Sequence, residues 1–166
     1  SYQIFKTAQY VKEAELLKVI HKYDGIICGD DEISKNVLDK AKKLKVISKW
    51  GTGIDSINKN YAIKKNIKIF NTPGAFTSAV AEHALGLMFS LTRNITFNHV
   101  DILNNNWSKR ICSTIEEKNI GIIGYGKIGK KIHKNLKSFN LNFFFNDIKK
   151  INQKNTSLKR LLKISD

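Results

Sequence analysis

Apolar and polar positions along the first half of the chain form blocks that fit strands and helices in turn. Three short apolar runs predict strands, at residues 25–28, 46–49 and 68–70. Three stretches with an apolar residue every three to four positions predict helices, at about residues 11–23, 34–44 and 58–65. Ser34 stands where a helix N-cap is expected. Strands that alternate with helices predict a parallel α/β sheet.

The second half of the chain begins with a long apolar stretch and ends in a strand–helix–strand pattern. Residues 78–93 predict a helix that is apolar nearly all round, which we expect to be buried on several sides. A polar, asparagine-rich stretch with Trp107 follows, and the pattern assigns no element to it. Strands are predicted at residues 120–123 and 142–145, with a helix between them. Because a doubly wound sheet of two strands cannot bury its faces, we expect this second unit to be incomplete.

The turn between the last two predicted strands carries the sequence GYGKIG at residues 124–129, with GxGxxG spacing. Gly124 permits a tight turn, Gly126 lets a diphosphate approach the backbone, and Gly129 lets the helix pack closely on the strand. The following amides, those of Lys127 and Ile128, lie at the positive end of the helix dipole, where they can hold a diphosphate.

An acid, Asp147, ends the strand that follows this helix, 18 residues after the last glycine. A carboxylate at that place can accept hydrogen bonds from both hydroxyls of a ribose and repels a 2′-phosphate. NAD is therefore favoured over NADP, although Lys149 and Lys150 soften the preference. The alternative interpretation is an ordinary strand–helix turn followed by a solvent-facing acid.

A second glycine loop, Trp50-Gly51-Thr52-Gly53, follows the predicted strand 46–49. Ligands of open α/β sheets bind at the carboxyl ends of strands, and the exposed amides of such a loop suit a carboxylate or a phosphate. A plain loop is the alternative. The segment NTPG at residues 71–74, which holds the chain's one proline, is interpreted as a rigid turn without chemistry of its own.

These motifs stand in a fixed order: KWGTGIDSI from residue 49, FNTPGAFTSAVAEHALGLMFSLTRNI from residue 70, Trp107, and NIGIIGYGKIGKKI from residue 119 with Asp147 beyond. In that order they resemble the D-isomer-specific 2-hydroxyacid dehydrogenases, and within that family most of all the phosphoglycerate dehydrogenase branch. The resemblance implies a flavodoxin-like substrate-binding domain at residues 1–73, incomplete at its N-terminus. It also implies a Rossmann NAD-binding domain at residues 74–166, truncated at its C-terminus.

The resemblance also implies an activity: hydride transfer between NAD and a D-2-hydroxy acid or its 2-oxo acid, with 3-phosphoglycerate as the leading candidate. It places Trp50, Gly51, Thr52 and Gly53 at the substrate carboxylate, with Thr52 also beside the cofactor. Six further residues would bind the cofactor: Gly124, Gly126, Lys127, Ile128, Gly129 and Asp147. The family's catalytic Arg, Glu and His would lie beyond Asp166, so we expect no catalytic residue in this chain and no turnover by it alone.

Association and regulation are implied by the same resemblance. Family members are commonly homodimers or tetramers that associate through the nucleotide-binding domain, and the apolar helix at residues 78–93 would help build that interface. An alternative to an enzyme is an NAD(H)-sensing interaction module, since the family includes a transcriptional corepressor. His83 on that helix is expected to serve a structural or interface role, not proton transfer.

The formal charge of +15 is the feature most likely to suggest a different partner, nucleic acid. Of the 29 basic residues, 26 are lysines spread through every segment, whereas base and phosphate readers favour arginine. We therefore expect a solvated lysine surface and no nucleic-acid partner. Cys28 and Cys112 lack metal-ligand or disulfide spacing, so no metal is expected and Cys28 is interpreted as a buried thiol. The sequence shows no membrane span or leader, so a cytoplasmic location is expected.

Overall fold

A computed structural model of the protein describes residues 2–6 and 9–166, and the chain divides into two compact units, Ser1–Ala75 and Phe76–Asp166. The boundary that the sequence suggested, after residue 73, lies two residues from this division. Each unit has its own parallel sheet, which confirms the predicted α/β class.

The first unit is a three-stranded parallel sheet in the order β1-β2-β3. Its strands are Gly25–Cys28 (β1), Val46–Lys49 (β2) and Lys68–Phe70 (β3). Its helices are Glu13–Val19 (α1), Lys35–Lys40 (α2) and Lys59–Lys64 (α3), with a 3-10 turn at Ile20–Lys22 after α1. Because all three strands are parallel, their carboxyl ends meet at one edge of the sheet.

Side-chain caps and one apolar core explain why these segments fold as they do. The Ser34 hydroxyl accepts the Val37 N–H at the start of α2, as the sequence predicts, and Asn58 accepts the Tyr61 N–H at the start of α3. The core of the unit consists of residues that lie between the helices and the sheet, among them Ile20, Ile33, Val37, Leu38, Ile47 and Ala62. This packing fixes the edge where β1, β2 and β3 end.

The second unit contains two parallel strands, Asn119–Ile123 (β4) and Asn142–Asn146 (β5), paired so that Gly121 lies beside Phe144. The helix Lys127–Leu136 (α6) connects them, followed by a 3-10 turn at Lys137–Phe139. Thr77–Thr92 (α4) and Ile95–Leu103 (α5) precede the strands, and Leu158–Ile164 (α7) follows them. Helix α4 packs on α5 and α6, whereas α7 packs on the two strands.

Two expectations for α4 and α5 are wrong. Helix α4 buries Ala81, but Leu87 and Leu91 are exposed, because its neighbours in this unit, α5 and α6, leave much of its apolar surface uncovered. Helix α5 lies within the stretch to which no element was assigned. Its apolar side chains face solvent, so the amphipathic period that marks a core-facing helix is weak. Asn94, in the left-handed conformation, separates the two helices.

Among the residues that the structure describes, no helix combines the length and the apolar character needed to cross a membrane.

Candidate functional site

The glycine turn at residues 124–129 lies between the end of β4 and the start of α6. Gly124 has a φ of +89°, a conformation that side chains disfavour, and its N–H donates to the Asn146 carbonyl at 2.7 Å. A Cβ on Gly129 would lie 2.3 Å from the Gly124 carbonyl oxygen. Both glycines are therefore required for the helix to approach the strand this closely.

The start of α6 presents backbone N–H groups in front of this turn. Gly126 is the N-cap, and the first helical hydrogen bond runs from the Lys130 N–H to the Gly126 carbonyl at 3.0 Å. The amides of Lys127 and Ile128 precede that bond, at the positive end of the helix dipole, and both residues are exposed. Apart from the adjoining residues of the chain, no described atom lies within 4 Å of where a Cβ on Gly126 would stand, so an anion can approach the backbone there.

Asp147 follows β5, and its carboxylate faces the glycine turn. It accepts the Tyr125 N–H at 2.6 Å on one oxygen and the Lys149 N–H at 2.8 Å on the other. Hydrogen bonds from the Lys149 and Tyr125 amides hold the pKa of the Asp147 carboxyl below its ordinary value. The carboxylate is thus ionised at neutral pH and tied to the turn.

Asn155 secures the backbone of Asp147. Its side-chain oxygen accepts the Asp147 N–H at 3.1 Å, and its side-chain nitrogen donates to the Asp147 carbonyl at 3.0 Å. The Asn155 side chain thus pairs with the main chain of Asp147 as a neighbouring strand would. An asparagine in a polar segment gives no sequence signal for this role.

Tyr125 and His133 form a second contact that the sequence did not suggest. The Tyr125 ring is buried against Phe145, with centroids 4.6 Å apart, and its hydroxyl lies 2.6 Å from Nδ1 of His133. Burial, with a smaller contribution from Lys137, lowers the pKa of His133. His133 is half-buried, because its ring packs against the rings of Phe143 and Phe145 on β5.

The second predicted site, the loop of residues 50–53, follows β2. The Trp50 indole is exposed, while its backbone N–H donates to the Cys28 carbonyl at 2.8 Å. Thr52 and Gly53 are exposed, and Gly51 is half-buried. The preceding residue, Lys49, is buried, and its ammonium group donates to the Gly29 carbonyl and to the Asp30 carboxylate at the end of β1.

The segment after β3 holds this loop, although its sequence predicted only a rigid turn. Thr72 donates its N–H to the Gly51 carbonyl at 2.9 Å, and Asn71 donates its side-chain N–H to the Thr52 carbonyl at 2.7 Å. The role of Asn71 had a signal in the sequence. Asn71 directly follows β3, and the carboxyl end of β3 lies beside that of β2 in a parallel sheet.

Cys28 is a structural thiol, as the sequence predicts. It is buried at the end of β1, and burial raises its pKa to about 11. Within residues 2–6 and 9–166, no three His, Cys, Asp or Glu side chains are grouped so that they could hold a metal ion.

The second unit is a Rossmann-type α/β unit. It contains a strand, a glycine turn, a helix and a second, parallel strand that is followed by an acid. The sequence profile of the D-isomer specific 2-hydroxyacid dehydrogenase catalytic domain matches residues 2–155. The chain therefore belongs to the D-isomer specific 2-hydroxyacid dehydrogenase family, and the resemblance noted from its motifs is confirmed.

Individual relatives bear different activity names. A hydroxypyruvate reductase of Thermotoga maritima is 33% identical over 81% of this chain and 45% of the relative. A D-3-phosphoglycerate dehydrogenase of Methanocaldococcus jannaschii is 34% identical over 82% of this chain and 27% of the relative. The NAD-dependent formate dehydrogenase of Staphylococcus aureus, solved in complex with NAD, superposes with a TM-score of 0.83 at 27% identity, over 92% of this chain and 50% of that one. The chain thus spans half or less of the length of these relatives.

Proposed function

We propose that this chain provides the cofactor-binding turn and the substrate-carboxylate loop of an NAD-dependent oxidoreductase. The reaction is hydride transfer between the nicotinamide and a D-2-hydroxy acid or the matching 2-oxo acid. The observation that carries the proposal is the Asp147 carboxylate, fixed against the glycine turn by the amides of Tyr125 and Lys149. This contact supports the proposal, because a turn that could bind a diphosphate and an acid that could bind a ribose need to lie side by side.

The cofactor would contact the second unit through backbone and carboxylate. The amides of Lys127 and Ile128 bind the diphosphate, and Asp147 accepts hydrogen bonds from the ribose hydroxyls. The approach of the diphosphate to the backbone is kept open by the three glycines, Gly124, Gly126 and Gly129. The two oxygens of Asp147 accept the N–H groups of Tyr125 and Lys149 and retain lone pairs for a ribose hydroxyl.

NAD is preferred over NADP in this proposal. Backbone hydrogen bonds keep Asp147 ionised. The carboxylate accepts a hydrogen bond from the ribose hydroxyl of NAD, whereas it would repel the negatively charged 2′-phosphate of NADP. Lys149 and Lys150 reduce this repulsion without reversing it. The relative from Staphylococcus aureus that binds NAD at 27% identity supports the preference.

The substrate would bind at the first unit, with its carboxylate on the loop of Trp50, Gly51, Thr52 and Gly53. The names of the Thermotoga and Methanocaldococcus relatives support a small 2-hydroxy or 2-oxo acid. Among these we propose 3-phosphoglycerate as the leading candidate. We assign none of the proton-transfer chemistry to residues 1–166, so the direct tests of this chain are binding measurements.

The second unit would also associate with a second copy in the full-length protein. Many apolar side chains of α4, α5 and the segment that follows are exposed, among them Leu87, Leu91, Ile95, Phe97, Val100, Ile102, Leu103, Trp107 and Ile111. Apolar surfaces of this kind mark interaction sites in soluble proteins. Sedimentation equilibrium of the full-length protein should show a dimer or tetramer, which Leu103→Asp should dissociate into monomers. A wild-type protein that is monomeric at all concentrations would overturn this part of the proposal.

The test of the cofactor site is an NADH fluorescence titration of the chain. Asp147→Asn removes the charge that accepts the ribose hydroxyls, a hydrogen bond to a charged group worth about 1.5–3 kcal/mol. The dissociation constant for NADH should therefore rise roughly 10- to 100-fold. Asp24→Asn, a change of the same kind at an exposed ion pair of the first unit, should leave the constant unchanged. NADPH should bind more weakly than NADH to the wild-type chain, and the variant should narrow that gap. A wild-type chain that binds neither nucleotide would contradict the proposal.

A further inference from the structure

Four hydrogen bonds join the loop after β2 to the two residues after β3. The Gly51 carbonyl accepts the Thr72 N–H at 2.9 Å and the Thr72 hydroxyl at 3.1 Å. The Thr52 carbonyl accepts the side-chain amide of Asn71 at 2.7 Å. The Thr52 hydroxyl donates in return to the Thr72 carbonyl at 3.2 Å. Two consecutive carbonyls of the loop are thus turned toward Asn71 and Thr72.

The direction of these carbonyls determines the direction of the loop's N–H groups. In a trans peptide the C=O and the N–H of one unit point to opposite sides, and the chain contains no cis peptide among its described residues. Because the Gly51 and Thr52 carbonyls face the segment after β3, the N–H groups of Thr52 and Gly53 face away from it. Two adjacent donors therefore point to the same side of the loop, as a carboxylate requires.

We propose that Asn71 and Thr72 are positioning residues for the substrate-carboxylate loop, an inference that rests on the proposed function of residues 50–53. The peptides to be held lie between two glycines, Gly51 and Gly53, which tolerate most backbone conformations. Without the Asn71 amide, the Thr52–Gly53 peptide can rotate and turn the Gly53 N–H away from the substrate. The Thr72 hydroxyl restrains the preceding peptide in the same way.

The bonds also determine which atoms of Thr52 recognise the substrate. The Thr52 hydroxyl is occupied by the Thr72 carbonyl, so the carboxylate is bound by the backbone N–H groups of Thr52 and Gly53. The identity of residue 52 then matters less for substrate affinity than the identities of Asn71 and Thr72, which do not touch the substrate.

The test follows the amide resonances of Thr52 and Gly53 in the ¹⁵N-labelled chain during titration with oxamate, an unreactive analogue of a 2-oxo acid, against sodium chloride at equal ionic strength. In the wild type both resonances should shift with oxamate and hardly move with chloride. Asn71→Ala and Thr72→Val should each weaken the apparent affinity at least fivefold. Thr72→Ser, which restores the hydroxyl, should recover it, and Asn60→Ala, at an exposed position of α3, should change nothing.

The outcomes separate the two claims. If the wild-type amides do not respond to oxamate, the carboxylate loop itself is wrong, and the positioning role falls with it. If the wild-type amides respond to oxamate, and Asn71→Ala and Thr72→Val bind oxamate with unchanged affinity, the carboxylate loop is supported and the positioning role is overturned. Unchanged resonances of the buried residues Leu38 and Ile47 report that each variant is folded. Should Asn71→Ala not fold, the comparison of Thr72→Val with Thr72→Ser decides the question alone.

Discussion

Two glycine loops follow strands of this protein, and they are held in place by different means. The turn at residues 124–129 is shaped by its own glycines, through the positive φ of Gly124 and the close approach of Gly129 to the Gly124 carbonyl. The loop at residues 50–53 also has a glycine with a positive φ, Gly51 at +152°, but it is held from outside as well, by the hydrogen bonds of Asn71 and Thr72 at the end of the neighbouring strand.

The difference explains why one loop is easy to recognise in a sequence and the other is not. The spacing of the glycines reflects the backbone conformation of the turn itself. The turn can therefore be recognised from its own residues, without knowing which other segments lie beside it. The conformation of the other loop depends on side chains about 20 positions away, which only the pairing of β2 with β3 brings near. This contrast can be tested by substitutions within the glycine turn at residues 124–129 and by substitutions outside the loop at residues 50–53.

The largest effect is expected at Gly129. The Cβ of Gly129→Ala would lie 2.3 Å from a backbone oxygen, which cannot move aside as a side chain would, and overpacking of this kind costs about 3 kcal/mol. Hydrogen exchange of the β4 amides should report that loss of unfolding free energy, and NADH binding should fall with it. Gly86→Ala in α4, where a Cβ has no described neighbour within 4 Å, should instead stabilise the unit by up to about 1 kcal/mol. Equal behaviour of the two variants would show that the turn is not shaped by its glycines.

The next effect is expected at Lys49, the buried residue that directly precedes the other loop. Lys49→Met removes the donor to the Gly29 carbonyl and should lower the stability of the first unit by about 2 kcal/mol, the usual value for a hydrogen bond with a charged partner. The NADH dissociation constant should not change. Lys45→Met, which breaks an ion pair exposed on both sides, should cost about 0–1 kcal/mol. Hydrogen exchange of β1 and β2 amides measures both variants, and a Lys45→Met effect as large as that of Lys49→Met would contradict the assignment.

A smaller effect is expected at Tyr125, where the glycine turn also relies on a distant partner. Tyr125→Phe keeps the ring and removes the hydroxyl bonded to His133, which should cost about 1 kcal/mol of unfolding free energy and weaken NADH binding a few-fold. A double-mutant cycle with His133→Ala measures the coupling directly. If the two losses simply add, the hydroxyl and the imidazole do not support each other.

The smallest effect is expected from acidification. Burial lowers the folded-state pKa of His133, so the unfolded chain binds more protons than the folded chain in the mildly acidic range. The stabilisation is fully present above the unfolded-state pKa and is lost as the pH falls through the lower folded-state pKa. Amide protection of β4 and β5 should therefore decrease between pH 7 and pH 5, and His133→Gln should reduce the dependence. A wild-type unit whose protection is constant over this range would exclude the coupling.

The sequence predicted most elements because their local signals agree. Helical and strand periods, the Ser34 cap and the glycine spacing each indicated a structure that the chain adopts. Helix α5 was missed because its apolar residues do not follow a clear helical period. Helix α4 was expected to be buried because its residues are mostly apolar. An apolar composition does not show which other element covers a helix, so it could not predict how much of α4 stays exposed.

Periodicity, spacing and motif order by themselves determined the α/β class, the position of the glycine turn and the family. Each of these depends on residues close together in the chain or on their linear order. Only the tertiary structure decided that Thr72, Asn155 and His133 support the two loops, because those contacts join residues 8 to 21 positions apart in the chain, where spacing carries no signal.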